Sequence, residues 1–397
     1  MPVIREKRFL RVKLDMVTRC QLRCIMCHFA HPDFQESKVT MGGELLEKVG
    51  SELFPIAHDV VLSSSAEPLL AKDLPRALEL CREHGVPNFH FSTNLLAMNR
   101  RIMEKVIEVQ MPLMTVSIDG ATKETFERIR PPAKWESLMD RFDLVREVKQ
   151  ASGSDLPHLS ATAVLMRSNI REMPDLIRLM RDKGVTQMNF VHMAVMGGLG
   201  IENETLVNDP RLCNATLREM RRVADEVGMQ VMLPMEIPEK LAAGRPDGDL
   251  LDATRSDDGG GSALRQSDEM VGVEGSLDVA AYLNHKIDEF LLKAKKKDDH
   301  RRACYFPWYY IHVNPDGTVF PCGSWFEFTT FGDFKTQSFR EIWTGEKFTE
   351  LRRQIREMEL RDVCANCSVA NMGRPDVLAS FSHRAKVRRG NRPATSG

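Results

Sequence analysis

Seven of the nine cysteines fall into two groups whose spacing suits metal ligation. The first group lies in Thr18-Arg19-Cys20-Gln21-Leu22-Arg23-Cys24-Ile25-Met26-Cys27, a C-x3-C-x2-C run. Three thiolates on one short loop can ligate three irons of a 4Fe–4S cube. The fourth iron then lacks a protein ligand and is open to something else. Zinc is the other metal this loop could hold, with His28 or His31 as a fourth ligand.

The second group is Cys304, Cys322, Cys364 and Cys367, spaced C-x17-C-x41-C-x2-C. Asn314-Pro315-Asp316-Gly317 separates two β-rich runs, so 304–322 reads as a hairpin with a cysteine at each end. On spacing alone, a hairpin plus C-x2-C also suits a zinc ribbon. Cys81 and Cys213 stand alone on helical patterns, where a cysteine acts as a small buried hydrophobe.

The elements that must position these groups come from a chain of 397 residues, long enough for one large domain plus an appendage. It is 42% hydrophobic and 28% charged, an ordinary globular balance. Lys plus Arg number 55 against 56 Asp plus Glu, so charge gives no reason to expect nucleic acid or a membrane surface as partner. The N-terminus, MPVIREKRFLRVKLDM, is charged throughout and lacks a signal peptide's apolar core. A cytoplasmic protein is expected, with its cysteines in metal or redox chemistry rather than disulfides.

From residue 9 to about 193, β-rich runs alternate with helical patterns. The strand candidates are 10–18, 59–64, 88–93, 113–119, 159–166 and 187–193. Helical stretches fall near 41–56, 74–84, 98–110, 122–129, 135–150 and 172–183. Thr40 is a candidate N-cap for the first, and Gly85 and Gly184 are stop signals for two others. Six strand–helix units argue for an α/β fold with a parallel sheet, since parallel strands need helical crossovers. Six units are too few for a closed eight-unit barrel. Beyond this region 210–228 reads as a helix, 228–235 as a strand, 244–276 as a flexible loop and 277–298 as a helix. The domain reading is a barrel over 1–200, a helical connection over 201–300, a cysteine-bearing unit over 301–383 and a disordered basic tail over 384–397.

With its cysteine loop directly after the first strand, the chain resembles the radical S-adenosylmethionine (SAM) superfamily over roughly residues 9–195. Further short segments at strand ends carry the resemblance. Ser65-Ala66-Glu67-Pro68 looks like the family's G-G-E-P, with serine and alanine in place of the two glycines. Ser92-Thr93-Asn94 resembles its T-N position, and Ser117-Ile118-Asp119-Gly120 its S-x-D-[GA] segment. The resemblance implies a partial (β/α)6 barrel. It also implies a SAM-binding 4Fe–4S cluster on Cys20, Cys24 and Cys27. Glu67 would meet the amino group of SAM. Ser92, Asn94 and Ser117 would lie at its ribose and carboxylate, and Met26 and Met193 against its adenine.

The C-terminal hairpin, C-x12-G-x4-C, resembles the SPASM and twitch auxiliary-cluster domains of the same superfamily. No cysteine follows Cys367, so one auxiliary 4Fe–4S cluster on Cys304, Cys322, Cys364 and Cys367 is implied. The implied activity is reductive cleavage of SAM to a 5′-deoxyadenosyl radical that abstracts hydrogen from a substrate C–H bond. A saturated auxiliary cluster favours two-electron oxidation of a small polar substrate, of sugar or cyclitol type, by an oxidoreductase. Peptide maturation and redox-neutral epimerisation or rearrangement are alternatives. Only 19 residues precede Cys20, which leaves no room for the leader-binding domain of many peptide-modifying members. The electron donor would be of flavodoxin or ferredoxin type. A zinc-binding module is the reading from outside enzymology. The substrate is not legible, and His192, Glu236, Tyr305 and His312 are conceivable bases, none of them assigned.

Overall fold

The computed structural model describes residues 8–63, 65–194, 198–237, 304–325, 328–357, 359–365 and 367. The expected loop at 244–276, the helix near 277–298 and the tail from 384 lie outside the described residues, as do Met196 and Gly197.

In chain order the elements begin with β1 (Leu10–Leu14), α1 (Gly43–Leu53), β2 (Ala57–Leu62), α2 (Leu74–Glu83), β3 (Asn88–Thr93) and α3 (Arg100–Glu108). There follow β4 (Leu113–Ser117), α4 (Lys123–Ile129), α5 (Trp135–Ser152), β5 (His158–Leu165), α6 (Met173–Asp182) and β6 (Val185–His192). Next are α7 (Pro210–Val227), β7 (Gln230–Met232), α8 (Phe306–Tyr309), β8 (Tyr310–Val313), β9 (Thr318–Phe320) and β10 (Gly332–Asp333). The last are α9 (Phe339–Thr344), α10 (Glu346–Glu357) and α11 (Asp362–Ala365).

The chain divides into two compact units. The first comprises Met1–Val17, Val39–Phe89 and Glu289–Gly397. Its strands run in the order β10-β9-β8-β1-β2. Leu10, Val12 and Leu14 of β1 are fully buried, as are Val60 and Leu62 of β2 and Ile311 and Val313 of β8. The expected hairpin is β8–β9, and Gly317 closes its turn at φ +89°, donating its N–H to Asn314 O at 2.9 Å. A glycine takes that conformation without steric cost. The partner of β8 was not legible: it pairs in parallel with β1, Arg11 opposite Tyr310 through Leu14 opposite Val313. Thr40 does not cap α1. It forms an isolated antiparallel bridge with Val17, which engages its backbone two residues too early, and Gly42 occupies the cap without a side-chain bond.

The second unit comprises Thr18–Lys38 and His90–Asp288. Its strands are parallel in the order β3-β4-β5-β6-β7. Phe91, Met114, Val116, Ala161, Ala163, Met188 and Phe190 are buried on one face. The helices bury matching apolar stripes, Met103 and Val106 of α3, Leu138, Phe142 and Val145 of α5, and Ile177 and Met180 of α6. Burial on that face fixes the register, since a one-residue slip would turn every strand over. The opposite face holds in-register rows of uncharged polar residues. One row is Ser92, Thr115, Ser160 and Gln187, and the next is Ser117, Thr162 and Asn189.

Beyond β4 the backbone at Gly120 is closely packed: an added Cβ would lie 2.7 Å from the Phe126 backbone nitrogen and 2.9 Å from Thr125 Cγ2. Gly120→Ala is expected to cost about 1–3 kcal/mol through this overpacking. Gly43→Ala, in open space on α1, is expected to leave stability equal or slightly higher. Urea unfolding midpoints of the two variants check the contrast.

Candidate functional site

The loop carrying Cys20, Cys24 and Cys27 is held by backbone bonds to the last residue of α4 and the segment after it. Arg23 N–H donates to Pro131 O at 2.7 Å and Ile25 N–H to Ile129 O at 3.0 Å. Cys27 N–H donates to Cys24 O at 2.9 Å, closing a turn. The Arg23 guanidinium clips the loop from within, donating to Cys20 O and Leu22 O at 2.7 and 2.9 Å. Each thiol has a nitrogen close by. Asn94 Nδ2 is 3.9 Å from Cys20 Sγ, Arg130 Nη1 is 3.9 Å from Cys24 Sγ, and His28 Nδ1 is 3.7 Å from Cys27 Sγ. Gln21 Nε2 donates to Asn94 Oδ1 at 2.9 Å and fixes that side chain. Burial pushes the Cys24 thiol up to about 11; the Arg130 cation opposes the shift, and Asp119 and the neighbouring Cys27 and Cys20 add to it.

Arg130 was not singled out in the sequence. Its side chain is 8% exposed and pairs with Asp119, fully buried, at 2.6 Å. Burial raises the Asp119 carboxyl, while the Arg130 charge and the Val164 N–H pull it back. That N–H donates to Asp119 Oδ1 at 2.7 Å. Asn169 Nδ2 bonds the backbone oxygens of Asp119 and Val164 at 2.8 and 2.9 Å. The ends of β4 and β5 are thereby joined beside the cysteine loop.

Met26 and Met193, both expected against an adenine, fall in one apolar neighbourhood. Ile129, Met166, Met193 and Ile201 form a buried cluster, and Ile25 and Met26 pack against it. Ser92 is exposed and Ser117 half-buried, each on one of the polar rows. The other row members, Thr115, Ser160, Thr162, Gln187 and Asn189, were missed. The strands read in the sequence as near-continuous apolar runs, and only the strand registers align these polar residues.

Glu67 and the C-terminal cysteines belong to the first unit. Glu67 is buried, and its Oε1 accepts the Leu69 N–H at 3.2 Å. The Cys304 thiol is pushed up to about 12, by burial first and then by Cys322, Cys367 and Cys364 together, so the four sulfurs feel one another. Donors also point at them: the Phe306 N–H at Cys304, the Ser324 and Trp325 N–H groups at Cys322, and the Trp325 side chain at Cys364. Ser324 Oγ lies 3.8 Å from Cys367 Sγ.

All nine cysteines are unbridged, and Cys81 and Cys213 are buried in α2 and α7 as expected. Of the conceivable bases, His192 Nε2 contacts Met235 O at 2.9 Å, and burial lowers its basicity. Glu236 pairs with Arg218 at 3.0 Å, Tyr305 is exposed, and His312 is buried against Asp15.

Among the described residues no three His, Cys, Asp or Glu side chains gather tightly enough to chelate a single ion. The fit to iron–sulfur clusters rests on the chemistry of the two donor sets, three and four unbridged thiols with nitrogen or hydroxyl groups beside the sulfurs. Such hydrogen bonds are a lever on cluster potential. The described residues also contain no helix long and apolar enough to cross a membrane.

The sequence profile of the radical SAM superfamily matches residues 14–180, and that of the SPASM iron–sulfur cluster-binding domain matches residues 304–368. Fe-coproporphyrin III synthase of Methanosarcina barkeri is 25% identical over 53% of this chain and 49% of that protein. A probable GTP 3′,8-cyclase of Methanocaldococcus jannaschii is 24% identical over 45% of this chain and 57% of that protein. The chain thus spans about half the length of these two relatives. The AdoMet-dependent heme synthase of M. barkeri is 22% identical over 89% of both chains. Among solved structures, Streptococcus suis SuiB bound to S-adenosylmethionine has a TM-score of 0.56 at 12% identity, covering 87% of this chain and 68% of that one. Native anSMEcpe with bound AdoMet has a TM-score of 0.55 at 15% identity, covering 92% and 88%. At these identities the likeness establishes the fold, an α/β partial barrel followed by a small C-terminal domain.

Arg130→Met is expected to destabilise the protein by about 3–5 kcal/mol, because Asp119 keeps a buried charge without its cation. The double change Arg130→Met with Asp119→Leu is expected to regain much of that loss. Denaturation midpoints of the wild type, the single variant and the double variant check both statements.

Proposed function

We propose that this chain, a radical SAM enzyme with a C-terminal SPASM auxiliary-cluster domain, oxidises a small polar substrate of sugar or cyclitol type by two electrons at a C–H bond. The observation that carries the substrate class is the pair of polar rows on one face of β3–β6. Seven hydroxyl or amide side chains stand there in register without a Lys, Arg, Asp or Glu among them. Such a surface matches a neutral molecule rich in hydroxyl groups, since each can both donate and accept.

The residues divide the work. Cys20, Cys24 and Cys27 would hold the SAM-binding cluster, and Cys304, Cys322, Cys364 and Cys367 the auxiliary one. SAM, bound with its cluster, supplies one-electron abstraction of hydrogen from an unactivated C–H bond. Ile25, Met26, Met193 and Ile201 exclude water beside the cluster loop, which protects a reactive species from side reactions. Asn94 and Arg130 stand where they favour charge on Cys20 and Cys24. Glu67 would pair with the cofactor's ammonium, and Ser92, Asn94 and Ser117 would meet its ribose and carboxylate. Four thiolates leave an auxiliary cluster no open iron, which suits it to accept an electron rather than bind substrate. A flavodoxin- or ferredoxin-type donor would supply the electron for SAM cleavage.

A second reading has one specific support, the match to a heme synthase over 89% of both chains. A tetrapyrrole substrate bearing carboxylates would want cations at its rim, and the polar rows have none.

Cys20→Ala, Cys24→Ala and Cys27→Ala are each expected to abolish formation of 5′-deoxyadenosine. Reconstituted protein is expected to hold about eight irons per chain, and Cys364→Ala with Cys367→Ala about four. In that double variant SAM cleavage persists and substrate turnover fails. The intact enzyme gives a product two hydrogens lighter, with one SAM spent per turnover. A product of unchanged mass would favour a redox-neutral reaction and sink the oxidase reading.

A further inference from the structure

Three polar side chains from distant parts of the sequence meet inside the first unit. Asp15 directly follows β1 and is 1% exposed. Its Oδ2 lies 2.6 Å from Ser65 Oγ and 2.8 Å from His312 Nε2 on β8, and its Oδ1 accepts the Ser65 N–H at 3.4 Å. An ionised carboxylate can only accept, so Ser65 Oγ and His312 Nε2 are the donors. The backbone leads both neighbours to this point: Asp15 N–H donates to Val313 O at 2.9 Å and Ser63 N–H to Leu14 O at 2.7 Å.

Ser65 opens the segment that ends in Glu67, and it stands where the resembling pattern has glycine. A glycine could not make the Oγ bond to Asp15. The turn before it is held in an unfavourable conformation, with Ser63 at φ +70° and its Oγ donating to Ala66 O at 3.1 Å. A serine persists in that region only when surrounding bonds over-determine it. Glu67 then accepts the Leu69 N–H at 3.2 Å, which aims its carboxylate.

We infer that Asp15 is a positioning residue: it clamps the Ser65-Ala66-Glu67 segment on one side and the first strand of the auxiliary-cluster hairpin, through His312, on the other. The two ends of the clamp are coupled, so a change on the hairpin alters how the Glu67 segment is held. The effect on cofactor affinity rests on the proposal that Glu67 meets the ammonium of SAM; the clamp itself does not.

The test uses full-length, cluster-reconstituted protein and two readouts, the Kd for SAM by equilibrium dialysis and amide hydrogen exchange of the 63–70 peptide. Ser65→Gly restores the glycine of the resembling pattern, yet here it is expected to weaken SAM binding about five- to tenfold and to speed exchange. Ser65→Thr, which keeps the hydroxyl, is expected to behave as wild type. His312→Ala, far away in sequence, is expected to speed exchange in the same peptide, and His312→Gln, which keeps an N–H donor, to restore part of the protection. Unchanged exchange in both Ser65→Gly and His312→Ala overturns the clamp, as does a lowered Tm with exchange and Kd unaltered. Faster exchange with unchanged Kd in Ser65→Gly and in Glu67→Gln keeps the clamp and overturns only the cofactor role of Glu67.

Discussion

A guanidinium buried beside a cysteine thiol must be paired, and that requirement organises the second unit around the cysteine loop. Burial pushes the Cys24 thiol up to about 11, and Asp119 and the neighbouring thiols of Cys27 and Cys20 add to the penalty on its charged form. Arg130 offsets this charge, but an unpartnered cation in the interior would cost several kcal/mol. Asp119 supplies the partner, and must then be held itself. It accepts the Val164 N–H, and Asn169 ties the backbones of both residues. The chemistry of one cysteine thus propagates into the joining of two strand ends.

The same device recurs in the first unit with different residues. Asp15 follows β1 as Asp119 follows β4, and each carboxyl group reaches a backbone N–H of the next strand or its loop. Parallel ladders run out at their C-terminal ends, where backbone groups lose their partners and functional loops begin. A carboxylate there extends the ladder by one side chain while leaving the loop free to carry function. The cost is a buried carboxyl group. The Arg130 guanidinium pairs with Asp119, and the Ser65 and His312 side chains hydrogen-bond Asp15.

Legibility in the sequence follows the range of the interactions. The strands and helices from β1 to α7 were readable within a few residues, because apolar periodicity and glycine stops are local. The cysteine loop and the C-terminal hairpin were readable because their spacing and turn residues are local. What was missed is non-local. Nothing near residue 310 announces that β8 pairs with β1, and nothing near Arg130 announces Cys24. Thr40 failed as a cap because a bridge to Val17 won its backbone. The polar rows were missed for the same reason: the strands read as near-continuous apolar runs covered on both faces, and only the registers bring Thr115 beside Ser160 and Thr162 beside Asn189.

On the reading proposed above, the polar rows also bear on how cofactor and substrate would share one face. An apolar cluster containing Met193 packs against Ile25 and Met26 beside the cysteine loop, while the neighbouring strands present hydroxyls and amides. An apolar wall excludes water from a hydrogen-abstracting species, and a polar wall fixes the orientation of a hydroxylated molecule. A uniformly apolar face would protect the radical chemistry but hold no preferred C–H bond toward it. A charged face would bind tightly but demand counter-charges on the substrate. Uncharged polar groups in a rigid parallel ladder avoid both, because their donors and acceptors are fixed by register and not by flexible side-chain stems.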